Sequence, residues 1–100
     1  MLFRSRTYQW KVAGLVPEIF RRRLYVKKGF GSIYEYAAKL GSMRREDVDR
    51  VLYLDNFFED KLMLRNMLIN GEVSFNKLRR ITSVVTAENQ EFWATQVRLL

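Results

Sequence analysis

The sequence predicts an all-α protein, a compact bundle of five to six short helices. Only one proline and five glycines occur in 100 residues, so few positions interrupt a helix. No segment alternates apolar and polar residues in the way a half-buried strand does. Apolar residues make up 48% of the chain and aromatic residues 14%, which is enough to build one core. A chain of this length is the size of one domain.

The first long helix is predicted to begin at Pro17, because proline is tolerated in the first turn, where its missing N–H costs nothing. Gly29 is predicted to stop it. Residues 8–15, ahead of this helix, fit either a separate short helix or an irregular arm. The expected organisation is therefore an N-terminal arm or short helix over residues 1–16 and a single helical domain over residues 17–100.

Two shorter helices are predicted to follow. Ser32 is a good N-cap for a helix over Ile33–Leu40, and Gly41 is expected to end that helix. Ser42 is then expected to cap the next helix, which continues to about Leu54.

This pair of helices resembles a helix-turn-helix over residues 33–54. Ala37 lies four residues before Gly41, where a small side chain lets two helices pack closely. The outward face of the second helix, however, mixes Glu46 and Asp49 with arginines, and carboxylates repel phosphates. Both a DNA-reading unit and two ordinary packed helices remain open at this point.

A further helix is predicted over Phe57–Ile69, because Asn56 and Glu59 have the capping-box spacing and Asn70-Gly71 is a good C-terminal stop. Apolar residues lie on two sides of this helix, whereas a helix of a small domain usually buries one stripe. It is expected to be either the central helix or a subunit contact, and the second reading predicts a homodimer.

Two more helices complete the predicted bundle. Ser74 is expected to cap a helix that continues to about Val85, and Thr86 is expected to cap the last helix. The first of these has the clearest division between an apolar face and a basic one. Its predicted inward residues are Phe75, Leu78, Ile81 and Val85.

The net charge of +7 and the pI near 10.1 are typical of domains that bind polyanions. Double-stranded DNA is the first expected partner, and the sequence does not separate DNA from RNA. An anionic membrane is a weaker alternative, and a basic surface that only keeps the protein dissolved is another. The candidate nucleic-acid-binding residues are the clustered basic residues Arg21, Arg22, Arg23, Lys27, Lys28, Arg44, Arg45, Arg50, Lys77, Arg79 and Arg80.

Aromatic residues are interleaved with these cations. In proteins that bind single strands, such rings stack on bases. Most of the aromatic residues here have helical spacing and fit a core, and Trp10 and Tyr53 are the two expected to be exposed.

Catalysis is not expected. The chain has no cysteine and no histidine, the residues that most often serve as nucleophile, general base or zinc ligand. Pairs such as Glu46 with Arg50 explain the surface carboxylates as intrahelical ion pairs. No metal or other cofactor is therefore expected. The chain also lacks a long apolar run and a signal-peptide pattern, so a cytoplasmic protein is expected.

Two motifs resemble a known family. The stretches Gly71–Ile81 and Thr86–Asn89, together with Gly29–Tyr36 earlier in the chain, are similar to the helical region that precedes the nuclease module in bacterial HNH-endonuclease-domain proteins. The resemblance covers roughly residues 18–98. It implies a helical fold and DNA association through Ser74, Lys77, Arg79 and Arg80. Nuclease activity is not implied, because the chain contains no histidine with which to build the module.

Overall fold

The computed structural model describes residues 6–100, and within this range the chain forms helices and turns without any strand. The all-α bundle of short helices is therefore confirmed. None of the described helices is both long and apolar enough to span a membrane. The α-helices are α1 (Arg6–Arg21), α2 (Leu24–Lys27), α3 (Ile33–Gly41), α4 (Arg45–Phe57), α5 (Leu62–Asn70), α6 (Phe75–Arg80) and α7 (Gln90–Leu99), with a 3₁₀ turn (Phe58–Asp60) between α4 and α5.

The predicted helix start at Pro17 is wrong, because this proline is buried inside α1. Proline inside a helix costs about 3 kcal/mol. Helix α1 nevertheless continues through it, since Val12, Ala13 and Val16 are buried against the rest of the bundle. The predicted division between residues 16 and 17 thus falls inside one helix. Residues 1–5 of the predicted arm lie outside the described residues.

The end of α1 also differs from the prediction. A continuous helix was expected as far as Gly29, but the chain turns at Arg23, which has the left-handed backbone conformation (φ 55°). The short helix α2 follows. Gly29 then ends the segment as predicted, with a positive φ of 89° that glycine adopts without steric cost.

Helix α3 begins as predicted, with the Ser32 hydroxyl accepting a hydrogen bond from the backbone N–H of Glu35 at 3.1 Å. Gly41 is its last residue and is buried against α1, where a Cβ would lie 2.9 Å from Cγ1 of Val12. The glycine is therefore needed for close packing. The left-handed residue after α3 is Ser42 (φ 56°).

Ser42 consequently does not cap α4, and that prediction is wrong. Arg44 precedes the helix instead, and its backbone N–H donates to Oδ2 of Asp47 at 3.1 Å. The connection between α3 and α4 is thus the three residues 42–44. Helix α4 contacts α1, α3, α5 and α6, and α5 likewise contacts four helices, namely α1, α4, α6 and α7.

The predicted helix over Phe57–Ile69 begins in the wrong place. Asn56 lies inside α4 and caps nothing, and α5 starts only at Leu62. Phe58 is fully buried, so the chain turns at this residue to place its ring in the core. The end of the helix is as predicted, with Gly71 in the left-handed conformation (φ 66°).

The last two helices lie within their predicted segments, but both are shorter than predicted, and Asn89 rather than Thr86 directly precedes α7. The Ser74 hydroxyl accepts from the backbone N–H of Lys77 at 3.2 Å, as expected of an N-cap. Helix α6 ends at Arg80, earlier than predicted, and turns continue the chain. Thr86 and Asn89 bond to each other's backbone N–H groups at the turn before α7. Of the four predicted inward residues, three are buried and Phe75 is half-buried.

Candidate nucleic-acid interface

Two of the three consecutive arginines at the end of α1 are paired with carboxylates. Arg21 donates to Asp55 at 2.8 Å and to Glu18 at 3.0 Å. Arg22 lies 3.0 Å from the other oxygen of Glu18. These two guanidinium groups have part of their charge compensated within the protein, so they are weaker candidates for phosphate contact than their position in the sequence indicates.

The next cations along the chain are different. Arg23, Lys27 and Lys28, here called the basic corner, are exposed, and their side chains have no acidic partner within residues 6–100. The sequence around them, residues 19–34, contains no Asp or Glu. The backbone turn at Arg23 separates this side chain from the paired arginines of α1.

Arg65 was not among the predicted site residues, yet it shares the carboxylate of Asp55 with Arg21. Asp55 is buried and comes from α4, whereas Arg65 comes from α5 and Arg21 from α1. The hydrogen bond to Asp55 raises the pKa of Arg65. This cluster connects three helices. Its contact with Asp55 gives Arg21 a structural role in the bundle.

At the start of α4, the cations are held by local contacts. Arg44 lies 3.6 Å from Asp47. The guanidinium of Arg45 lies over the ring of Tyr34, 4.0 Å from its centroid. The Tyr34 hydroxyl in turn donates to Asp49 at 2.6 Å, and this hydrogen bond raises the pKa of Tyr34.

The outward face of α4 carries two exposed carboxylates, Glu46 and Asp49, beside the exposed Arg45. In a helix-turn-helix, the outward face of the second helix is the face that enters the DNA groove. The charges here therefore do not form a uniformly basic surface, as the sequence already indicated. The α3–α4 connection has the length of a helix-turn-helix turn, and a DNA-reading role for the pair stays a prediction.

The structure brings α4 and α6 together at Arg50, which donates to Oδ1 of Asn76 at 3.1 Å. A groove of about 420 Å³ runs beside this contact, and Tyr53, 57% exposed as predicted, forms part of its wall. Among the predicted cations, Arg50 and Arg79 meet in this groove. Its lining residues are Glu46, Asp49, Arg50, Tyr53, Arg79 and Thr82.

Arg79 and Arg80 on α6 are exposed, and neither guanidinium has a hydrogen-bond or ion-pair partner in the described part of the chain. Residues 73–87 contain no Asp or Glu.

Lys77 is half-buried and lines a second cavity together with Trp10. Trp10, which was expected to be exposed, is half-buried. Asn76 and Gln9 lie at the same place, and no sequence signal pointed to these amides.

No three acidic side chains within residues 6–100 lie together as ligands for a metal ion. Asp49 is engaged by Tyr34, and Asp60 is paired with Lys61 at 2.8 Å, a contact that lowers the pKa of Asp60.

Comparison of the chain with protein-family models, with curated proteins and with solved structures found no match in any of the three. The resemblance to the helical region of HNH-endonuclease-domain proteins therefore stays a prediction based on its two motifs.

Proposed function

We propose that this protein binds double-stranded DNA with little sequence preference, as a cytoplasmic, non-catalytic protein that uses no cofactor. The observation that carries the proposal is the set of exposed cations without an acidic partner among the described residues, in two segments free of acids. These cations are Arg23, Lys27, Lys28, Arg79 and Arg80.

Exposed, unpaired guanidinium and ammonium groups suit phosphate contact because they need not give up an existing ion pair. By the same reasoning, Arg21, Arg22 and Arg44 contribute less, since each already has a carboxylate within 4.0 Å. The proposed contact set is thus narrower than the set of basic residues in the sequence. It includes Arg79 and Arg80, the two arginines that the resemblance to the HNH-associated region also singles out.

Base reading by α4 is a secondary part of this proposal. Arg45 and Arg50 are the arginines of α4, and arginine side chains donate to base edges or phosphates. Glu46 and Asp49 on the same helix oppose a close approach to the phosphate backbone, because like charges repel. For this reason we propose that phosphate contacts dominate and that sequence preference is small.

The experiment that tests this function is a gel-shift titration with duplex DNA at two salt concentrations. Binding should weaken steeply as salt rises, because each neutralised phosphate releases counterions. Structured RNA in a parallel titration separates the two kinds of nucleic acid. The absence of any shift with micromolar protein at about 50 mM salt would refute the proposal.

Supercoiled plasmid incubated with Mg²⁺ or Mn²⁺ should stay intact, and metal-dependent nicking would refute the non-catalytic part.

A second candidate function is a dimerisation module whose basic surface is incidental. Leu62 and Met63, on the first turn of α5, are 59% and 43% exposed, and Phe92 on the neighbouring helix α7 is also exposed. Contiguous exposed apolar patches, unlike single exposed apolar side chains, mark interaction surfaces. A two-fold contact between α5 helices is the simplest assembly.

Sedimentation across a micromolar concentration range tests this candidate, with the Leu62→Lys and Met63→Lys variants. Met67 does not serve, because it is 2% exposed and a charge there would damage the core. A mass that stays monomeric at all concentrations in the unaltered protein would rule out the dimer. A dimer that both variants dissociate would locate the interface on α5.

A further inference from the structure

A cavity of about 350 Å³ lies between the first part of α1 and the start of α6. Its volume is at the lower end of the range for small-molecule sites, about 300–1,000 Å³. Two aromatic rings and several polar side chains form its wall. The lining residues are Gln9, Trp10, Ser74, Phe75, Asn76 and Lys77.

The rings of Trp10 and Phe75 are both half-buried, so the bundle holds part of each ring and leaves part of it open to the cavity. Flat aromatic groups that are held in place stack on other flat rings. Nucleobases stack on such side chains at about 1–3 kcal/mol per base, whatever the base. The cavity therefore has the apolar surface that a base requires.

The polar groups of the cavity supply donors. Oδ1 of Asn76 already accepts from Arg50, and the amide nitrogen of Asn76 has no partner within residues 6–100. The side chains of Gln9 and Lys77 likewise have no described partner. The Ser74 hydroxyl is occupied, since it accepts from the backbone of Lys77. Amide and ammonium donors beside a ring match the carbonyl oxygens and ring nitrogens of a base.

The surroundings of the cavity supply phosphate contacts. Arg79 and Arg80 follow Lys77 on α6 and are exposed without described partners. Their charges can hold the backbone of a strand whose base enters the cavity. A paired base inside a duplex cannot present its face to a protein ring, because both faces are covered by neighbouring bases. The ligand must therefore contain an unpaired nucleotide.

We propose that this α1–α6 cavity binds the base of an unpaired nucleotide in DNA, with Trp10 stacking on the base and Arg79 and Arg80 contacting the adjacent phosphates. The inference rests on the proposed DNA binding and adds a structural preference to it, for a bulge or single-stranded stretch next to a duplex.

The test uses a Trp93→Phe variant, which leaves Trp10 as the sole tryptophan because the chain has two. Three DNA probes are titrated: a blunt duplex, the same duplex with one bulged thymidine, and the same duplex with an abasic bulge. The thymidine bulge should bind at least about fivefold more tightly than the other two probes, as a stacking free energy of about 1 kcal/mol implies. It alone should strongly quench Trp10 fluorescence. The abasic probe has the same flexible backbone, so it controls for DNA bending.

Trp10→Ala in the unaltered background should abolish the preference for the thymidine bulge while leaving blunt-duplex affinity unchanged. Trp10→Phe should retain most of the preference. Phe92→Ala, which removes an exposed ring on α7, is the matched control and should leave the preference for the thymidine bulge unchanged. If Trp10→Ala does not fold by circular dichroism, Gln9→Ala, which removes a neutral side chain from the same cavity, provides the same test, with a partial loss of the preference expected.

Equal affinity for all three probes, with Trp10 fluorescence equally affected by each, would overturn the cavity proposal and leave the proposed DNA binding standing. Failure to bind any of the probes would overturn both.

Discussion

Arg65 donates to both carboxylate oxygens of Asp55, from Nε to Oδ1 at 3.0 Å and from Nη2 to Oδ2 at 3.2 Å. This bidentate geometry is the strongest form of an arginine–carboxylate pair. Asp55 also accepts from Arg21 at 2.8 Å. One carboxylate thus connects α1, α4 and α5, and no buried side-chain oxygen or nitrogen within residues 6–100 lacks a hydrogen-bond partner.

Asp55→Asn should therefore destabilise the protein. The substitution removes the charge that compensates two arginines, of which Arg65 keeps only 25% of its side-chain surface exposed. Breaking a fully buried pair costs about 3–5 kcal/mol, and the partial exposure here reduces the expected loss in unfolding free energy to about 2 kcal/mol. Urea denaturation of the unaltered protein and of the variant measures this loss in unfolding free energy. Glu72→Gln, which breaks the exposed pair with Arg98, is the control and should cost less than about 1 kcal/mol. Equal effects of the two variants would contradict this account.

Gly14→Ala should also destabilise the protein, because a Cβ at position 14 would lie 2.3 Å from the carbonyl oxygen of Ile69 and 2.6 Å from that of Leu68. Both atoms are backbone, so α1 and α5 must separate. Overpacking of this kind costs about 1–3 kcal/mol and outweighs the gain of up to about 1 kcal/mol from replacing glycine in a helix. Gly31→Ala is the matched control, since its nearest atom would be the end of the Glu35 side chain at 3.7 Å. An unchanged thermal midpoint for Gly14→Ala would show that the helices are not in this close contact.

Replacing Arg79 and Arg80 together by glutamine should lower DNA affinity and make it less dependent on salt. Each lost phosphate contact reduces the magnitude of the slope of log affinity against log salt by about 0.9. In the double variant this magnitude should therefore be smaller by nearly 2. Arg98→Gln removes one charge of the same kind from a guanidinium paired with Glu72, and it should change the slope little. The slope is measured by fluorescence anisotropy with a labelled duplex over a series of salt concentrations. A reduction no larger for the double variant than for Arg98→Gln would remove α6 from the interface.

Tyr34 should deprotonate at a higher pH than a free tyrosine, because its hydroxyl donates to Asp49 and the carboxylate disfavours the phenolate. The raised pKa means that this contact stabilises the fold fully below the ordinary tyrosine pKa of about 10, and that the contribution is lost as pH rises through the folded value. Asp49→Asn should lower the pKa of Tyr34 toward its ordinary value. An NMR titration of the Tyr34 ring carbons in the two proteins checks this. An identical Tyr34 titration in both proteins would show that the hydrogen bond does not form.

Local sequence signals predicted the helix ends that depend on local contacts. Ser32 and Ser74 cap their helices as expected, because an N-cap bond is made to a residue three positions along the chain. Gly71 ends α5 because its own backbone conformation requires a glycine. The errors at Pro17 and Asn56 have the opposite origin. In both cases burial of neighbouring side chains against distant helices outweighed the local preference.

For the candidate interface, composition predicted that basic residues would be exposed but did not predict which of them would be paired. The Glu18 contacts of Arg21 and Arg22 lie within one helix turn and are visible in the sequence spacing. The contact of Arg21 with Asp55 joins two distant helices, and no spacing rule indicates it. The meeting of Arg50 with Asn76, and the cavity beside it, depend in the same way on how α4, α6 and α1 pack.

The close approach of Gly14 to Ile69 has a consequence for synthesis on the ribosome. Helix α1 is synthesised before α5, and the backbone that covers this part of α1 belongs to α5. Until α5 has left the exit tunnel, the apolar side of α1 lacks the packing contact that α5 makes with it in the folded protein. Contacts between distant parts of a chain form late and slowly compared with local ones. The core around α1 is therefore completed only after α5 has emerged, and in that interval the uncovered apolar side of α1 is open to association with other chains.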